Sequence, residues 1–185
     1  RYRSPSRGLG DVYKRQDMAK AKTASFTLTE SVTVQSGTSG TGSLDIGSYL
    51  NVASRQGLAI ESIDFVWQNA SNLPYTNATN TALQVQVSDL LNSAAVQAND
   101  RSLIASGQLL VETDAGLYSQ ASDVFPDNYG TLNEARMVVN DTLYFRVDAS
   151  GTTSVICTAL IRCKIVTLDA KDFMAIAIQS TASDN

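Results

Sequence analysis

The chain has no histidine at all. That removes the commonest general base and the commonest imidazole metal ligand. A Ser-His-Asp triad, a Cys-His dyad and a histidine zinc site are therefore excluded. Only two cysteines occur, Cys157 and Cys163, too few for a four-thiolate zinc site. They stand six residues apart in what reads as one strand, roughly 20 Å at ~3.3 Å per residue. A disulfide needs Cα atoms within about 7 Å, so the two cannot bridge each other. Both share a face with apolar residues and read as buried thiols. Proline is scarce, with three in the chain, and so are lysine and glutamate, a balance that disfavours long surface helices. The Gly-rich stretch "GTSGTG" fits neither the dinucleotide nor the P-loop pattern and lies between strands, so it reads as a turn.

Long hydrophobic runs are missing as well. The segment "MAKAKTASFTLTESVTV" offers no apolar stretch for a secretory signal, and no later run is long enough for a membrane-spanning helix. The expected place of synthesis and retention is the cytosol, with release by cell lysis as the alternative. Ahead of Met18 the chain reads "SRGLGDVYKRQ" from Ser6 to Gln16. This resembles, residue for residue, a translated library-sequencing adapter. Residues 1–17 are therefore set aside as a non-native segment, and residues 18–185 are expected to form one domain. The segment holds five basic and two acidic residues. Without it the 14 basic and 18 acidic residues become 9 and 16, and the net charge moves from −4 to −7. An acidic domain disfavours phosphate neutralisation, so no direct nucleic-acid binding is expected.

What the chain does have is alternation. "SFTLTESVTV" places Phe26, Leu28, Val32 and Val34 in one phase, and "GLAIESIDFVWQ" does the same with Ile63, Phe65 and Trp67. "TALQVQVS" sets Leu83, Val85 and Val87 inward and Gln84 and Gln86 outward. "DTLYFRVDA" alternates Leu143, Phe145 and Val147 against Tyr144 and Arg146. The longest run, 152–168, has a core face of Val155, Cys157, Ala159, Ile161, Cys163 and Ile165. Its other face is partly apolar through Ile156, Leu160 and Val166 and calls for cover. "SLDIGSYL", "SLIASGQLLVET" and "RMVVN" read as further strands, the second interrupted near Gly107. Residues 89–100 read as a short helix followed by a loop, and 69–80 and 114–135 as loops. Asp169 is placed to cap a C-terminal helix carrying Phe173, Ile176 and Ala177 on one face, although "FMAIAI" also alternates. These elements predict an all-β fold: a two-sheet antiparallel sandwich or single jelly roll of about eight strands with a short C-terminal helix.

Carboxylates are the remaining reactive candidates. Asp123 and Asp127, with Asp114 and Glu112 nearby, are placed to bind Ca²⁺ or to form an acid/base pair. Solvated loop acids are the plainer reading, and neither a metal nor a cofactor is expected. Three sequons, at Asn69, Asn77 and Asn140, read as chance matches in an Asn- and Thr-rich chain. Trp67 continues the core face. Tyr75, Tyr118 and Tyr129 fall in loops and are the candidates for contacts with neighbouring molecules, together with Phe173 and Ile176 on the helix.

In size, strand order and polar β-rich composition, residues 18–185 resemble single jelly-roll viral capsid proteins, notably the small major capsid proteins of icosahedral, membrane-containing archaeal and bacterial viruses. The resemblance implies a coat protein that self-assembles into an icosahedral shell in the host cytoplasm and resides in the virion. Its partners would be copies of itself and other capsid proteins, above an internal membrane. The Lys pair of "MAKAK" departs from the longer basic arm of many capsid proteins. The alternatives are a β-sandwich carbohydrate-binding or adhesive surface domain, and a hydrolase using Asp123 and Asp127. With no catalytic constellation, a non-enzymatic role is expected.

Overall fold

The computed structural model describes residues 19–181 apart from 36, 78, 115–116, 127–128, 130–134 and 152. Among the described residues ten strands form two antiparallel sheets. Sheet A contains β1 (Ala19–Ala21), β2 (Phe26–Val34), β4 (Gln56–Gln68), β8 (Arg136–Val138) and β10 (Val155–Leu168). Its order is β1-β10-β4-β8, with β2 lying end to end with β1 along the same side of β10. Sheet B has the order β3-β9-β5-β6-β7, from β3 (Ser39–Asp45), β5 (Thr81–Ser88), β6 (Leu103–Asp114), β7 (Leu117–Phe125) and β9 (Thr142–Ala149). The chain crosses from β2 to β3, back to β4, over to β5–β7, back to β8, over to β9 and back to β10. Repeated crossing between two antiparallel sheets gives the predicted jelly-roll sandwich.

Period-2 alternation sets the core. Along β10, Val155, Cys157, Ala159, Ile161 and Cys163 are all buried. They face Leu83, Val85 and Val87 of β5 and Leu143, Phe145 and Val147 of β9, which belong to the same apolar cluster. The Val166–Leu168 end of the second face of β10 receives its cover from α1 (Ala170–Thr181). Asp169 caps the helix, its carboxylate accepting the Asp172 N–H at 2.7 Å. Phe173, Ile176 and Ala177 pack on a smaller cluster of Ala59, Val139, Val166 and Leu168. Among the described residues no helix is long and apolar enough to cross a membrane.

Two expected elements differ. Residues 89–100 form turns rather than a helix. The Gln86 amide clamps Val96, donating to its carbonyl at 2.7 Å and accepting its N–H at 2.8 Å. The Asp100 carboxylate takes both the Ser102 N–H and hydroxyl. Such side-chain bonds give the backbone an alternative to helical pairing. The segment folds over the outer face of sheet B, so Gln86, outward as expected, is nonetheless 5% exposed. The stretch 114–135 is not all loop: β7 occupies 117–125 and pairs with β6 over nine consecutive residues without a register shift.

Candidate interaction surfaces

The two flanks of the sandwich differ because of glycine. On one flank β2 lies directly over β3. A Cβ on Gly40 would sit 2.9 Å from a Val34 methyl, and one on Gly42 would sit 2.8 Å from a Val32 methyl. The missing side chains let the sheets close there. On the opposite flank β8 pairs with β4 only at Leu58–Ile60, which leaves the far half of β4 without a β-strand neighbour on that side. Sheet B extends one strand further, to β7, which among the described residues has no strand partner beyond β6. Between them opens a cleft of about 310 Å³ lined by Phe65, Trp67, Pro74, Leu109, Gln120 and Val124, among others. Trp67 is in the core phase as expected, opposite Cys157. It is only half-buried, because the sandwich is open where it points.

The contact candidates separate sharply. Tyr75 is 2% exposed and Tyr129 is 7% exposed, so neither ring is a surface contact. The Tyr75 hydroxyl lies 3.0 Å from that of Thr153 and accepts the Asn77 amide at 3.4 Å. Its carbonyl accepts the Gln120 side chain at 2.9 Å. A bridge between Gln68 and Pro74 turns the 69–74 segment back and drives the ring inward. Tyr129 donates to the Ile104 carbonyl at 3.0 Å, and burial pushes its phenol above its usual range against the opposing charge of Arg136. Tyr118 pairs through its backbone with Thr113, and its side chain lies outside the described residues. Phe173 and Ile176 point into their own sheet. Among the described residues the large apolar side chains that the helix leaves outward are Met174 and Ile178, 58% and 60% exposed.

The remaining reactive groups are occupied structurally. Asp123 stands on the outer face of β7, accepting from the Val124 N–H at 3.0 Å and from Gln108 at 3.4 Å. Asp127 lies outside the described residues. Among the described residues no cluster of three acids or cysteines could hold a metal ion. Both thiols are buried, and desolvation pushes each up to about 12, with the Glu61 charge adding to the effect at Cys163. They stay protonated and unreactive near neutral pH. The sequon asparagines serve the fold. Asn77 is buried and donates to Thr81 at 2.6 Å, Asn140 donates to the Asp89 carbonyl at 2.6 Å, and Asn69 accepts the Ser71 and Leu73 N–H groups.

Glu61 is the extra residue of a bulge in β4, between the pairs Ser62–Arg162 and Ile60–Cys163. The bulge aims it at Lys164 and Arg162, with the Ser25 hydroxyl donating at 2.8 Å. Burial alone would raise its pKa. The Lys164 and Ser25 hydrogen bonds and the two positive charges outweigh burial and hold it below the usual value. A lowered acid contributes stability above its unfolded pKa and loses it as pH falls through the folded one. Glu61→Gln is therefore expected to lower stability at pH 7 by about 0.2–1 kcal/mol. Urea melts should show the deficit shrinking below pH 4.5, the ordinary carboxyl value, and shrinking also at high salt.

No family model and no curated protein matches this chain. Among solved structures, a tailspike protein of the Acinetobacter baumannii bacteriophage Fri1, a capsular polysaccharide depolymerase, is similar at 11% identity and a TM-score of 0.17. The match covers 76% of this chain and 20% of the tailspike. Likeness at that level carries no argument about fold or function.

Proposed function

We propose that this chain is a structural coat subunit that self-assembles into a closed viral shell. The supporting observation is where its exposed large apolar residues lie. Tyr49 and Val52 sit in the β3–β4 connection, Leu73 beside the open flank, Leu91 on the β5–β6 loop, and Met174 and Ile178 on the helix. Each is 48–71% exposed. Patches on several separate faces suit a body that meets several neighbours through different surfaces, as closed assemblies of identical copies require. The rigid β core and the neutral, buried thiols fit a building block better than an enzyme. Neighbouring copies and other coat proteins are the partners, the net acidity argues against direct genome contact, and the location is the virion.

The test is assembly of the purified full chain, followed by light scattering and negative-stain microscopy over a range of salt and protein concentration. Regular particles or large oligomers are expected, and Met174→Glu with Ile178→Glu should suppress them while leaving the melting temperature nearly unchanged. A chain that stays monomeric under every condition refutes the proposal. One observation favours a second reading, a carbohydrate-binding surface domain: Trp67 and Phe65 stand partly exposed in a cleft that Gln120 also lines. Titration of Trp67 fluorescence with oligosaccharides tests it, and a saturable change would support it.

A further inference from the structure

Exposed sheet edges invite pairing with another chain, and natural proteins blunt them with short strands, glycine or proline, bulges, or an inward-pointing charge. Three of the edges described here are blunted. β8 has three residues. β3 carries Gly40 and Gly42. β2 carries Glu30 in its inward phase, opposite buried Ala159, where burial raises the carboxyl above its usual pKa. β7 has none of these devices. It runs nine residues as LYSQASDVF, pairs with β6 without a bulge, and contains neither glycine, proline nor lysine. Its single charge, Asp123, points outward.

From this we infer that β7 is a self-pairing edge, and that two copies of this chain join β7 to β7 in antiparallel register about a twofold axis at Ala121. That register matches residue types along the whole strand. Leu117 stands opposite Phe125 of the partner subunit, Ser119 opposite the partner's Asp123, Gln120 opposite the partner's Ser122, and Ala121 opposite its own copy. The two Asp123 carboxylates are held four residues apart along the paired strands, roughly 13 Å, so no like charges face each other. The pairing is isologous, as a twofold contact must be, and it fuses two copies of sheet B into one continuous sheet. Phe125, at the end of the strand, is 50% exposed in the single chain. This deepens the shell reading by naming one contact between subunits, and rests on that reading only for the purpose of the contact. An edge pairing alone is a small interface. The free dimer is weak, and it tightens when other shell contacts act with it.

Ala121 is exposed and opposes Leu110 within its own chain, so a charge there leaves the fold intact, which circular dichroism and melting temperature check. Ala121→Lys or Ala121→Glu places two like charges on the axis. Sedimentation equilibrium of the full chain is expected to show a concentration-dependent dimer. Each variant alone should raise its dissociation constant by roughly tenfold or more, and an equimolar mixture of the two should restore pairing. A wild-type chain without any dimer, variants that dimerise like the wild type, or a mixture that fails to recover would each overturn the inference. Particles built from Ala121→Lys copies would reject β7 pairing and leave the shell reading standing. A dimer split by Ala121→Lys in a chain that never forms particles would do the reverse.

Discussion

Tyr75→Ala is expected to lower the free energy of unfolding by about 3–5 kcal/mol, the cost of emptying a buried aromatic site. Tyr75 is among the largest fully buried side chains of the protein. Truncation would remove a packed ring and also take one hydrogen-bond partner from the Thr153 hydroxyl and from the Asn77 amide. Tyr75→Phe keeps the ring and removes only the hydroxyl, so about 1 kcal/mol is expected. Urea denaturation followed by far-ultraviolet circular dichroism gives both numbers. The comparison decides between a structural and a contact role. An exposed contact residue would move monomer stability by no more than about 0.5 kcal/mol in either variant, and its loss would appear in assembly alone.

Tyr75 also shows why a loop aromatic misleads a reader of the sequence. "NASNLPYTNATN" is rich in Asn and Thr, and polar segments between strands ordinarily run over the surface. What buries the ring is not local. The Asn69 side chain folds the turn and the Gln68–Pro74 bridge returns it to the sheet, while Thr113, Gln120 and Thr153 supply polar partners from far along the chain. Arg136 and Asp89, 3.8 Å apart with Asp89 2% exposed, form a second polar cluster of the same kind. Its only trace in the sequence is an Asp directly after a clean strand.

The strands that were legible are those with one face in the core. β5, β9 and β10 alternate because burial on one side and partial exposure on the other impose a period of two. β7 lacks that signal for the same reason in reverse. It lies at the rim of sheet B on the open flank, and Ser119 to Asp123 are exposed on both faces, so nothing selects an apolar phase. Its strand identity comes from pairing with β6, which leaves no pattern in β7 itself. The phase of β2, by contrast, was legible in full. The gap between Leu28 and Val32 is Glu30, and its inward position follows from the alternation alone. The helix was legible through the Asp169 cap, but the direction of its apolar face was not. Phe173 and Ile176 share a stripe that could serve a neighbour or the chain's own sheet, and only the apolar outer face of β10 decides that it serves the sheet.

At the open flank the two sheets meet at one residue without a side chain, and that yields the second large effect. The Phe65 ring rests on Gly107: a Cβ built there would lie 2.4 Å from ring carbon Cδ2 and 3.0 Å from Cε2. A valine at 107 must displace the ring or the β6 backbone, and overpacking of this kind costs about 1–3 kcal/mol. The displaced ring has one direction available, outward into the cleft beside Trp67 and Val124. Gly107→Val is therefore expected to destabilise the fold and to shift Trp67 emission together. Phe65→Ala removes the obstacle, so the double variant should be more stable than the sum of the two single changes predicts, by at least about 0.5 kcal/mol. Additive losses would mean that the ring does not sit on Gly107.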